Sequence, residues 1–167
     1  MATKKFKLTD DTIVIDGITL HRIKALRSFG NVIKGSLGGW VEKEENLSQL
    51  GDAWIDENAK VYGNAIVYDN AKVYEDAEVF GNTEVFGNAE IRGDAEIASN
   101  SDYIVFKNWW SSGRYFTWTK NNNMWKVGCF YGTGKELIEK AYKDSELSGR
   151  EYERIVGYVE TILQDTK

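Results

Sequence analysis

The sequence predicts a mainly β protein: a short parallel β-solenoid with a β cap before it and a small α+β module after it. Three observations carry this. Residues 51–98 read as eight consecutive hexads, GDAWID, ENAKVY, GNAIVY, DNAKVY, EDAEVF, GNTEVF, GNAEIR and GDAEIA. The chain has no proline, and strands that all donate ladder hydrogen bonds have little place for one. The flanks, 1–50 and 99–167, drop the six-residue period for hairpin and helix patterns.

Self-similarity at a fixed period dictates architecture because each repeat can bury its apolar face only against a neighbour. Aligned, the hexads place Ile55, Val61, Val67, Val73, Val79, Val85, Ile91 and Ile97 in one column. Two residues earlier lie Ala53, Ala59, Ala65, Ala71, Ala77, Thr83, Ala89 and Ala95, on the same side of each strand. One large and one small inward residue per strand suit a narrow coil. Gly-Asn, Asp-Asn, Glu-Asp and Gly-Asp pairs between strands tolerate positive φ and form the corners.

Charge tests the coil length, since like charges in direct register on adjacent strands are unfavourable. An 18-residue coil sets Lys60 over Glu78 and Lys72 over Glu90. A 12-residue coil stacks Lys60 on Lys72 and is rejected. A 24-residue coil passes the same test and stays open.

The stretch Val61-Tyr62-Gly63-Asn64-Ala65-Ile66 resembles the hexapeptide repeat of left-handed parallel β-helices. That resemblance covers residues 51–98 and implies a left-handed triangular prism of about three coils. It also implies packing of protomers face to face, as a trimer or dimer. The wider layout resembles short hexapeptide-repeat proteins of phages and prophages. The pieces that carry this are LGGWVEKEENLSQLGDAWI, the [GDE]-[ND]-A-x-V-[YF] hexads, and DYIVFKNWW through GCFYGTGKELIEKAY.

In the 1–50 flank, alternating apolar residues surround Asp16-Gly17 in TIVIDGITLHRI, a type I′ hairpin signal. The segment that follows leads into the solenoid, and Val41 and Leu47, six apart, start an irregular first coil before the register slips by two. In the 99–167 flank, Tyr103–Phe106, Arg114–Thr119 and Met124–Phe130 read as strands with a turn at Asn121–Asn123. Two helices follow, announced by capping boxes at Thr133/Glu136 and Ser148/Glu151. Tyr152, Ile155, Val156, Val159, Ile162 and Leu163 form an apolar stripe at helical spacing.

At 167 residues, 42% of them hydrophobic, the chain is one folded domain or a small core with appendages. A net charge of −5 argues against coating DNA or RNA, which needs a basic surface to displace counterions. The lysines at the start are followed by no apolar run, and nothing approaches the roughly 18 apolar residues of a membrane span. A cytoplasmic protein is expected, with no membrane or direct nucleic-acid partner.

Chemistry is mostly missing. Acyltransferases and carbonic-anhydrase-like enzymes of the resembled family imply a histidine base beside an extruded loop, or three histidines on a metal. This chain has one histidine, His21, outside the hexads, and no inserted loop. A single cysteine, Cys129, excludes a cysteine-based zinc site and reads as strand core. Gly132-Thr133-Gly134-Lys135 invites comparison with a phosphate cradle. It fails the P-loop pattern at Cys129 and Glu136, so Gly132, Gly134 and Lys135 form a weak phosphate site and a good helix cap. No catalytic residue, metal or cofactor is expected.

Two surface features remain. Tyr62 stacks on Phe80, and Tyr68 on Phe86 beside Ile66, giving a face to be covered by the terminal helices or another protomer. Glu78, Glu84, Glu90 and Glu96 take the outward position before the aliphatic in four successive hexads, one carboxylate per strand over all three faces. They solvate the surface or imitate nucleic-acid phosphates for a basic partner. The leading expectation is a non-catalytic interaction protein, a phage or prophage inhibitor of a host defence protein such as a CRISPR nuclease. The alternative is an oligomeric binder that sequesters a nucleotide signal; an acyltransferase-like enzyme comes third.

Overall fold

The computed structural model describes residues 3–166. The fold is mainly β, with a β-solenoid of about three turns and two C-terminal helices. The N-terminal hairpin pairs β1 (Phe6–Ile15) with β2 (Ile18–Ala25) through Ile15 opposite Ile18. Its two turn residues, Asp16 and Gly17, have φ of 49° and 81°, as a type I′ turn requires.

The hairpin continues one face of the solenoid. β2 pairs antiparallel with β3 (Leu37–Val41), which pairs parallel with β5 (Lys60–Val61), then β8 (Glu78–Val79) and β11 (Glu96–Ile97). The second face holds β4 (Trp54–Ile55), β7 (Lys72–Val73) and β10 (Glu90–Ile91). The third holds β6 (Ile66–Val67) and β9 (Glu84–Val85), with Leu47 bridged to Val67 above them. Lys60 pairs with Glu78 and Lys72 with Glu90, so the coil is 18 residues and the four-hexad alternative falls.

Both inward columns are fully buried, from Ala53 and Ile55 to Ala95 and Ile97. All eight first positions of the hexads have positive φ: five are glycine, and Glu57, Asp69 and Glu75 stand at 54°, 58° and 59°. Two of these acids use the conformation. Asp69 accepts from the Gly87 amide at 3.2 Å and Glu75 from the Gly93 amide at 2.8 Å, each one coil below.

A parallel ladder leaves carbonyls free at one end and amides at the other. Here side chains finish both. At the first coil the buried Lys5 Nζ donates to the Ala53 carbonyl at 2.7 Å, and Asn46 Nδ2 to that of Ala65 at 2.8 Å. At the last coil the amides of Glu84, Glu90 and Glu96 donate to Asn100 Oδ1, Thr117 Oγ1 and Asn121 Oδ1 at 2.7, 3.0 and 2.9 Å.

The C-terminal module is an antiparallel meander of β12 (Tyr103–Lys107), β13 (Tyr115–Thr119), β14 (Met124–Val127) and β15 (Phe130–Gly132), with α1 (Gly134–Asp144) and α2 (Glu146–Asp165) on it. The expected single strand Met124–Phe130 is instead a hairpin that turns at Gly128-Cys129, because Gly128 takes φ of 54°. Cys129 is therefore exposed at the turn and not core. The second helix also starts earlier than its expected box. Ser145, extended between the helices, accepts from the Ser148 amide at 3.0 Å, and Glu151 pairs with Arg154 instead. Phe116, Trp118, Trp125, Leu137, Tyr152, Val156 and Val159 form a core separate from that of the solenoid.

Candidate functional site

The hexad period turns the β4–β7–β10 face into a grid. Trp54, Lys72 and Glu90 run down its centre on three rungs about 4.8 Å apart. Asn70 and Asn88 flank them on one side, Asp56 and Tyr74 on the other. Above the grid stands the loop with Gly30, Asn31 and Val32; below stand Arg114, Tyr115 and Gly128 of the C-terminal module. These three parts of the chain enclose a groove of about 690 Å³.

The electrostatics of the floor depend on the module. Glu90 is in register under Lys72, but its carboxylate lies 3.3 Å from Lys126 Nζ of β14 and accepts from the Tyr74 hydroxyl at 3.4 Å. Burial, with Glu90 beside it, pushes the Tyr74 hydroxyl well above the usual phenol range. Among the described residues Lys72 has no carboxylate within 4.0 Å, so a half-buried ammonium faces the groove unpaired.

Arg92 adds to the docking of the module on this face. Its guanidinium bonds the Glu75 carboxylate and packs over the rings of Tyr74 and Tyr131, 5.4 and 4.5 Å from their centroids. The Arg92 hydrogen bond holds the Glu75 carboxyl below the usual carboxylate range. Tyr131 packs against Gly93, where its hydroxyl leaves no room for a Cβ.

The four glutamates singled out above occupy different faces. Glu78 and Glu96 share the β5–β8–β11 face, Glu84 is on β9, and Glu90 is in the groove. Tyrosines one coil above donate to three of them: Tyr62 to Glu78 at 3.3 Å, Tyr68 to Glu84 at 3.0 Å, and Tyr74 to Glu90. Tyr62 and Phe80 stack at 5.3 Å, Tyr68 and Phe86 at 5.2 Å. Ile66 and Phe86 are 38% and 46% exposed, so the terminal helices do not cover the β6–β9 face.

At the Gly132–Lys135 turn, Thr133 and Glu136 complete a capping box. Thr133 Oγ1 accepts from the Glu136 amide at 3.2 Å, and the Glu136 carboxylate accepts from the Thr133 amide at 2.9 Å. The turn thus holds its own anion. His21 lies on β2, its Nδ1 3.2 Å from the Thr9 carbonyl. Sequence reasoning missed the groove. Lys72 was visible only as half of a charge pair, and Arg114, Tyr115 and Lys126 as parts of strands.

No protein-family model matches the chain. A stretch of 47 residues is 43% identical to part of the uncharacterized acetyltransferase YdcK of Escherichia coli strain K12. The match covers 28% of this chain and 14% of that protein. Among the described residues no helix is long and apolar enough to cross a membrane.

Proposed function

We propose that this chain is a non-catalytic binding protein whose groove over Trp54, Lys72 and Glu90 takes a small organic anion. The observation that carries this reading is the unpaired Lys72, whose counter-charge in the ladder is taken by Lys126. The volume, about 690 Å³, falls in the range of small-molecule sites. Arg114 adds a second cation against the carboxylates of Asp52, Asp56, Glu57 and Glu90 that also line the groove. Asn70 and Asn88 offer amides on successive rungs, and the 47% exposed ring of Tyr115 offers a flat apolar surface. A ligand with one anionic group, N–H or O–H donors for the carboxylates and a planar or apolar part meets each of these.

The test is calorimetry and thermal melting against nucleoside mono- and diphosphates, dicarboxylates and acetyl-CoA. A ligand at a hundredfold excess over its Kd should stabilise the fold by about 2.7 kcal/mol. Lys72→Glu should abolish that gain. A panel with no binder, or Lys72→Glu binding like the parent, overturns the reading. The acetyl-CoA arm carries a further outcome, since the relative's name includes acetyl transfer: appearance of free CoA on incubation with an amine would replace binding by catalysis.

A second reading rests on charge: residues 51–98 hold eleven Asp and Glu against three Lys and Arg. That surface suits a basic, nucleic-acid-binding host protein, a phage target such as a CRISPR nuclease among them. Unimpeded DNA cleavage by such a nuclease at a stoichiometric excess of this chain would remove it. Inhibition that survives reversal of Glu84 and Glu96, the two most exposed of the four glutamates, would remove its acidic-surface form.

A further inference from the structure

We infer that a second cavity, enclosed by the β14–β15 hairpin, the β12–β13 loop and α1, is an anion pocket that takes the phosphate-bearing part of a small phosphorylated molecule. It adjoins the Lys72 groove, sharing Arg114 and Gly128 with it, and measures about 640 Å³. Two separate elements supply its cations: Arg114 closes the β12–β13 loop, and Lys140 projects from α1. Among the described residues neither has a carboxylate within 4.0 Å.

The loop between them is held in shape before any ligand arrives. The buried Asn108 accepts through Oδ1 from the Ser111 amide at 2.9 Å and the Ser111 hydroxyl at 3.1 Å. Its main chain accepts from the Gly113 amide at 2.9 Å and donates to the Arg114 carbonyl at 2.8 Å. Trp110 Nε1 donates to Ser148 Oγ of α2 at 3.1 Å, tying the loop to the helices. Arg114 and the Ser112 hydroxyl are thus presented from a fixed turn, and little ordering entropy remains to oppose binding.

Chemistry sorts the lining into two sides. Arg114, Lys140 and the Ser112 hydroxyl, whose proton is not used within the loop, can meet phosphate oxygens with charge-assisted hydrogen bonds. Val127 and Phe130, backed by the buried Leu137 and Ala141, form an apolar side on which a planar group can lie. Asp144 accepts from an N–H or O–H and repels a second anion at its end of the cavity. A nucleoside monophosphate has this distribution of groups. Arg114 and Gly128 line both this cavity and the groove, so Lys140 and Lys72 are the side chains that separate the two.

Cys129, the chain's single cysteine, is exposed at the rim and reports on occupancy. Its alkylation by neutral iodoacetamide is followed by intact mass with AMP, inorganic pyrophosphate or adenosine. AMP and pyrophosphate should slow the reaction, and adenosine at the same concentration should not. Lys140→Glu should weaken the AMP effect by about tenfold or more, the worth of one charge-assisted hydrogen bond. Lys72→Glu should leave it intact, which keeps this pocket distinguishable from the groove. Unchanged rates with both phosphates, equal protection by adenosine, or loss of protection in Lys72→Glu but not in Lys140→Glu would each overturn the inference. Thermal melts of both variants establish that they fold, and amide shifts of Ser111 and Lys140 on AMP addition give a second readout.

Discussion

Glu90 lies directly below Lys72 in the parallel ladder, yet its carboxylate is bound to Lys126 at 3.3 Å, on a strand of the C-terminal module. A pairing written into the repeat is thereby redirected between modules. Lys126→Ala should return Glu90 to Lys72. Because Glu90 is over a third exposed, the stability loss should be about 1 kcal/mol or less. Affinity for a groove anion should fall together with it. Titration of the variant with whichever anion the parent binds checks this, and unchanged affinity contradicts the competition.

The corner residues give a contrast in stability. Glu57 and Glu75 both hold left-handed backbone at φ of 54° and 59°. Glu57→Gly relieves that conformation and should be neutral or stabilising, by about 0.5 kcal/mol. Glu75→Gly relieves it too, but removes the partner of Arg92 and the acceptor for the Gly93 amide. A net loss of about 1–2 kcal/mol is expected in urea unfolding. Equal behaviour of the two variants would contradict the role given to the Glu75 carboxylate.

Within the same corner column, Gly51 and Gly87 share φ near 69° and 63° but not surroundings. A Cβ on Gly87 meets nothing within 4 Å, whereas one on Gly51 lies 2.5 Å from the Asp69 carbonyl oxygen. Gly87→Ala should cost about 1 kcal/mol, the backbone penalty alone. Gly51→Ala must also displace main chain and should cost at least about 1 kcal/mol more, within the usual range for strained backbone. Chemical denaturation of the two variants side by side decides this.

Alkaline pH should act through opposing groups. Burial first, and the Glu78 carboxylate second, raise the Tyr62 hydroxyl from 10.0 to about 12. Burial likewise raises Tyr103 from 10.0 to about 12. The unfolded chain loses these protons first, so their stabilisation is full below pH 10.0 and is lost as pH rises through about 12. Lys5 runs the other way: burial lowers it from 10.5 to about 8, and stability rises with pH between those values because the unfolded state keeps its proton longer. Urea midpoints of Tyr62→Phe should fall less above pH 10.0 than those of the parent. Those of Lys5→Met should rise less between about 8 and 10.5.

The repeat itself was legible because period, column and corner are local properties. Val61 and Ala59 face inward by spacing alone, and charge in register excludes the 12-residue coil. Helix α1 was legible for the same reason, its Thr133 and Glu136 being three residues apart. Other local signals misled. Met124–Phe130 reads as one apolar strand until Gly128 takes positive φ and exposes Cys129. Ser148 satisfies the pattern of a capping box, but Ser145 takes the cap where the chain reverses between two helices.

The sequence by itself determined a mainly β solenoid with a known inside, since a hexad can bury its aliphatic residue only against the next coil. It left the coil at 18 or 24 residues until strand pairing fixed the rung order. Only the tertiary structure decided how the ends are finished and where a ligand could lie. Asn100, Thr117 and Asn121 cap the last amides from 16, 27 and 25 residues away, and Lys126 takes Glu90 from Lys72 across a gap in sequence that no periodicity spans. Ladder contacts repeat, and are read from one repeat to the next. Contacts between modules occur once, and depend on which solenoid face the last sheet covers.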